Sequence, residues 1–99
     1  MRKVKVKICG LKRAQDIECV NKLLPDYIGF VFAKTKREVT EQQAAQLKAM
    51  LNPQIKAVGV FVNAEIDLIA RLAKSRTIDI IQLHGDEDAA YCERLRLQT

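Results

Sequence analysis

Tryptophan is absent from the 99 residues, histidine occurs once and proline twice. Two tyrosines and three phenylalanines are the only aromatics, too few to build a stacking platform for nucleic acid. The excess of 17 Lys+Arg over 12 Asp+Glu gives +5. The basic residues are scattered, so the charge reads as ordinary surface with a mild preference for small anions rather than as a nucleic-acid footprint. Long apolar runs are missing too. The longest, residues 28–33 and 57–62, hold six residues each, against the ~20 needed to span a bilayer. The basic first residues never reach a continuous apolar core, so no secretory signal and no membrane partner are expected. The three cysteines, Cys9, Cys19 and Cys92, show no C-x-x-C spacing. With a single histidine this predicts neither a zinc site nor a disulfide framework, and implies free thiols in a reducing cytoplasm. Glycine-rich phosphate loops and a nucleophile elbow are likewise missing, and no cofactor or metal is expected. What remains, 48% apolar and 29% charged, is the balance of an ordinary globular domain.

The apolar pattern has a repeating form. Residues 4–8 alternate apolar side chains with lysine, a period-two strand signal. Ile17, Val20, Leu23 and Leu24 then fall at helical spacing, and Pro25 closes that segment. Residues 27–32 are apolar on both parities, as a strand buried on both faces would be. Thr40 and Gln43 form a capping box for a helix carrying Ala44, Leu47 and Leu51. Residues 57–62 give a third strand. Asn63 is the expected cap of the next helix, with Ile66, Ile69, Leu72 and Ala73 inward. Residues 78–83 give a fourth strand, and Asp86 the expected cap of a helix through Cys92 and Leu95 that is still running near Thr99. Residues 28–32 and 58–62 echo each other in a strand-embedded glycine, Gly29 and Gly59. The order βαβαβαβα implies a parallel sheet. It leaves two architectures open, a small doubly wound sheet or the first half of a (β/α)8 barrel.

In either, chemistry gathers where strands end. The first strand ends at Cys9, the second at residues 33–37, the third at Asn63, the fourth at Gln82 to Asp86. Cys9 shares parity with Lys5 and Lys7, so a cation two residues away on the same face would favour the thiolate. Packing as a small buried hydrophobe is the equal alternative. Lys34, Lys36 and Arg37 form a basic loop. It is either a solvated charge cluster or a guanidinium fork for a carboxylate or phosphate. Gln82 and His84 share one face of the fourth strand. Cys19 and Cys92 read as structural.

Four of these blocks are familiar together: Lys7-Ile8-Cys9-Gly10-Leu11 with Asp16, Gly29 through Arg37, Val58 through Asn63, and Gln82 through Glu87. In this order and at these intervals, the sequence resembles the phosphoribosylanthranilate isomerase family over essentially the whole chain. The resemblance implies a (β/α)8 barrel of tryptophan biosynthesis, of which residues 1–99 form the amino-terminal half, some four βα units, ending in or after the fourth helix. It implies an Amadori rearrangement of N-(5′-phosphoribosyl)anthranilate, with Cys9 as general base, Arg37 on the anthranilate carboxylate, and Lys7, Gln82 and His84 at the substrate. The substrate is a small molecule, an anionic sugar phosphate bearing a carboxylate. Many relatives carry Ser-Pro where this chain has Thr35-Lys36, which predicts a looser loop. The family's acid and phosphate site lie on later units, so this half alone is expected to be inactive. Its open sheet edges are expected to invite self-association. The competing expectation is a non-catalytic four-unit α/β module that binds a partner or a small molecule.

Overall fold

A computed structural model describes residues 6–98. Four βα units follow in order: β1 (Lys7–Cys9), α1 (Ala14–Leu23), β2 (Tyr27–Val31), α2 (Glu41–Met50), β3 (Lys56–Phe61), α3 (Ile66–Lys74), β4 (Ile80–Leu83) and α4 (Ala89–Gln98). The strands form one parallel sheet in the order β1-β2-β3-β4. Doubly wound sheets reverse their strand order partway across. This sheet does not, and its helices pack on one face. Of the two architectures open from the sequence, the winding of a (β/α) barrel is the one adopted.

Parity explains the single covered face. Ile28, Phe30, Ala57 and Phe61 are buried on the helix side, against Ile17 and Val20 of α1, Ala44 and Leu47 of α2, and Ile69 and Leu72 of α3. Phe32 and Phe61 stack with ring centroids 5.1 Å apart. The other parity, Lys7, Cys9, Tyr27, Gly29, Val58, Ile80 and Gln82, lines the opposite face. That face is concave. Three strand spacings of about 4.8 Å would part β1 and β4 by roughly 14 Å in a flat sheet with parallel side chains. Yet Lys7 Nζ donates to Gln82 Oε1 at 2.6 Å, so the sheet curls toward a barrel interior.

Local chemistry sets the element ends, with some differences from the sequence expectations. Of the first expected strand, Val4 and Lys5 lie outside the described residues. The strand itself covers Lys7–Cys9, with the Val6 carbonyl accepting from the amides of Asp26 and Tyr27. Helix α1 stops at Leu24, a left-handed C-cap (φ 51°) whose N–H returns to the Val20 carbonyl, and Pro25 follows as such caps favour. Thr40 caps α2 as expected, accepting from the Gln43 N–H at 3.1 Å while Gln43 Oε1 accepts from the Thr40 N–H at 2.9 Å. Asn63 does not cap α3. Its φ of 49° turns the chain early, and Glu65 holds the cap position without a side-chain bond. Asp86 does not cap α4 either. Asp88 does so, its carboxylate accepting from the Tyr91 N–H at 2.8 Å and its carbonyl from Cys92. Strand β4 starts at Ile80 rather than residue 78 because the Thr77 and Ile78 amides are spent on the Leu72 carbonyl at the end of α3. Among the described residues no helix is long and apolar enough to cross a membrane.

Candidate active site

Cys9 is the last residue of β1 and pairs in register with Gly29 of β2. The Gly10 amide continues the pairing into the loop, donating to the Gly29 carbonyl at 2.9 Å. The half-buried Cys9 side chain lies over Gly29, where a Cβ would stand 2.7 Å from Sγ. The next residue, Gly10, has φ +86°, a conformation favourable only to glycine. Its bare Cα leaves room for Arg37, whose Cδ would lie 2.5 Å from a Cβ there.

Arg37 reaches this point because the loop after β2 folds back. The Thr35 hydroxyl accepts from the Arg37 N–H at 3.1 Å, a side-chain-mediated turn, and Lys12 Nζ donates to the Lys36 carbonyl at 3.0 Å. A threonine hydroxyl thus shapes the loop. From there Arg37 Nη1 donates to the Cys9 carbonyl at 3.4 Å. Among the described residues no carboxylate pairs with Arg37, which leaves most of its fork directed to solvent. Thiol and guanidinium, 28 residues apart in sequence, share one strand end.

The remaining expected site residues divide. Lys7 and Gln82 meet across the concave face, with the ammonium on the glutamine amide. They line a hollow of about 370 Å³ with Tyr27, Val58, Ile80 and Ile81. His84 lies exposed just past the carboxyl end of β4, held through its backbone N–H on the Phe61 carbonyl at 2.8 Å. A larger cleft, about 760 Å³, opens between the β2–α2 and β3–α3 loops. It includes neither Cys9 nor Arg37, and its charges are partly self-compensated, Arg71 lying 2.8 Å from Glu41. It is not the place where the expected chemistry gathers. Among the described residues no three His, Cys, Asp or Glu side chains stand as metal ligands would.

Sequence reasoning missed the braces of the rim. Glu87 accepts from the Asn63 N–H at 2.6 Å and from the Gly85 N–H at 2.9 Å. Asn63 Oδ1 in turn accepts from the Asp86 N–H at 3.0 Å. The Asn63 amide above all, helped by Glu87's own amide and that of Gly85, holds the Glu87 carboxyl below the usual range against the opposing effect of desolvation. At the first unit Asp16 accepts from the Lys12 and Arg13 amides, each at 3.1 Å, and the Lys12 bond leads in lowering its pKa. The signal available in the sequence was an acidic residue just after each βα turn, a weak one because such residues also serve as plain helix starts.

Residues 6–99 match the family described as N-(5′phosphoribosyl)anthranilate (PRA) isomerase. An N-(5′-phosphoribosyl)anthranilate isomerase of Lachnoclostridium phytofermentans is 50% identical over 95 residues, 96% of this chain and 44% of that one. One from Clostridium kluyveri is 52% identical over 88 residues, 89% of this chain and 44% of its own. Among solved structures, monomers generated from the dimeric Thermotoga maritima isomerase superpose with a TM-score of 0.83 at 36% identity, over 95% of this chain and 49% of that one. A phosphoribosyl anthranilate isomerase in complex with reduced 1-(o-carboxyphenylamino)-1-deoxyribulose 5-phosphate gives 0.82 at 34%, over 96% and 50%. The chain spans about half the length of the relatives it matches.

Proposed function

This chain belongs to the N-(5′-phosphoribosyl)anthranilate isomerase family, and from that premise we propose that it supplies the first four βα units of a (β/α)8 isomerase. The reaction is the Amadori rearrangement of N-(5′-phosphoribosyl)anthranilate to 1-(2-carboxyphenylamino)-1-deoxyribulose 5-phosphate, in the cytoplasm. An acid protonates the ribose ring oxygen and the C1′–O bond opens to a protonated Schiff base. Cys9, as thiolate, takes the C2′ proton, and the electron pair neutralises the iminium as an enolamine. Tautomerisation then gives the ketone. Every proton is returned and no oxidant or reductant is consumed.

The observation that carries this reading is the meeting of Cys9 and Arg37 at one strand end, with the guanidinium free of carboxylates among the described residues. A planar fork is the natural partner of an anthranilate carboxylate. Clamped there, the substrate's C2′ lies within reach of a thiol at the same strand end. Lys7 and Gln82, joined on the concave face, and His84 at the rim offer polar contacts to the sugar. That a relative of solved structure holds a reduced product analogue supports the same substrate class. The acid and the phosphate site belong to units beyond these four, since barrel phosphate sites commonly form after the last strands. The unpaired edges of β1 and β4 are where those strands join.

Two variants of the intact enzyme test the assignment. Cys9→Ala should lower kcat by roughly 10²–10⁴-fold, the usual worth of a general base, with the circular dichroism spectrum unchanged. Arg37→Ala should raise KM by about tenfold or more, as loss of a charged hydrogen-bond partner does. Near-normal turnover by the alanine-9 enzyme would remove Cys9 from the chemistry, and an unmoved KM would remove Arg37 from the clamp.

A further inference from the structure

The sequence echo that places a glycine in both β2 and β3 conceals a difference in direction. Gly59 faces the helices. A Cβ there would meet Ile78 Cδ1 and Phe61 Cε2, each at 2.9 Å, so its smallness serves packing of the apolar layer. Gly29 lies on the opposite parity, facing the concave side. A Cβ there would meet Cys9 alone among its nearest neighbours, with Sγ at 2.7 Å, Cβ at 3.3 Å and Cα at 3.4 Å.

We propose that Gly29 is a positioning residue for Cys9, its missing side chain forming the seat that fixes the thiol's rotamer. This rests on the reading of Cys9 as proton acceptor and adds to it the element that aims the sulfur. A contact of 2.7 Å is roughly 1 Å inside the 3.5–4.0 Å of ordinary non-bonded packing. An alanine methyl therefore cannot coexist with the thiol where it lies. Cys9 Cβ and Cα are fixed by the β1–β2 ladder, whose register sets these two residues side by side. The remaining freedom is rotation about χ1 to another staggered well. That rotation swings Sγ by more than about 1 Å, enough to misalign a proton transfer.

The test uses the full chain and has a readout that needs no turnover. Cys9 alkylation by iodoacetamide, resolved from that of Cys19 and Cys92 by peptide mass spectrometry, should change by roughly threefold or more in Gly29→Ala. It should stay unchanged in Gly59→Ala, which alters a strand glycine on the other face. In the intact enzyme Gly29→Ala should lower kcat by roughly 10–100-fold with KM held. If Gly29→Ala folds poorly, the Cys9→Ala background decides. Removal of Sγ should there relieve most of the loss of melting temperature caused by Gly29→Ala, the 3.3 Å contact with Cys9 Cβ remaining. An unchanged alkylation rate in folded Gly29→Ala overturns the proposal, and so does a melting penalty undiminished by removal of the sulfur. Should Cys9→Ala retain turnover while alkylation still responds to position 29, the role of Cys9 as base fails and the seat stands.

Discussion

Gly10 shows how one residue can carry two constraints. Its φ of +86° costs a side chain backbone energy, and its Cβ position is already filled by the Arg37 stem. An alanine there would be strained by about 1–2 kcal/mol and would push the guanidinium off the Cys9 carbonyl. Gly10→Ala is expected to raise KM by about tenfold or more through the displaced arginine, with a smaller effect on kcat. Steady-state kinetics of the intact enzyme separates the two. The identities of Cys9, Gly10 and Arg37, and their place at strand ends, are legible in the sequence. That Cys9 sits on Gly29, and that Arg37 folds over Gly10, is not. Those contacts join residues 20 and 27 positions apart through strand register and a loop turn, and no local pattern encodes either.

At the level of elements, caps decide where helices begin. Thr40 and Gln43 exchange two hydrogen bonds at the start of α2, and the T-x-x-Q spacing announced them. Thr40→Ala should cost about 1 kcal/mol, read as a lower urea midpoint at unchanged slope. The caps of α3 and α4 differ from the sequence expectation for a common reason. Asn63 and Asp86 have the right residue types, but both are engaged in the bracing of the βα loops, Asn63 Oδ1 accepting from the Asp86 N–H. A tertiary contact between consecutive units took precedence over a local one, and each helix starts two residues later than the sequence pattern suggested. Glu87, which ties the Asn63 and Gly85 amides together, is the residue that makes this exchange workable.

For the whole molecule, carboxylates link stability to pH. Asp16, Glu41, Asp79 and Glu87 all have lowered pKa values in the folded chain. The causes differ. The Lys12 amide leads for Asp16, the Arg71 guanidinium for Glu41 and the Asn63 amide for Glu87. At Asp79 burial pushes the carboxyl up, and the Ala57 N–H and the Lys48 ammonium, each 2.8 Å away, outweigh it. A carboxyl lowered by folding stabilises fully above its unfolded pKa, about 4. That contribution is lost as pH falls through the lower folded value. Melting temperature should therefore be level near neutrality and fall below about pH 4. Asp79→Asn should flatten part of that fall, since it removes one of the titrating groups. A melting curve indifferent to acid would contradict the pairing.

Four βα units, a parallel sheet and the strand ends where chemistry collects are all legible in the sequence. Hydrophobic period and caps are local, and they suffice for that. Between an open doubly wound sheet and a barrel-type one the periodicity leaves the choice open, and the strand order β1-β2-β3-β4 settles it in favour of the barrel that the resemblance implies. That choice depends on which edge each new strand joins, and strands apolar on both parities suit either option. The curl that brings Lys7 to Gln82, the seat of Cys9 on Gly29 and the arginine over Gly10 likewise emerge only when separate strands are laid in register. They depend on distances across the sheet, which the one-dimensional pattern does not contain.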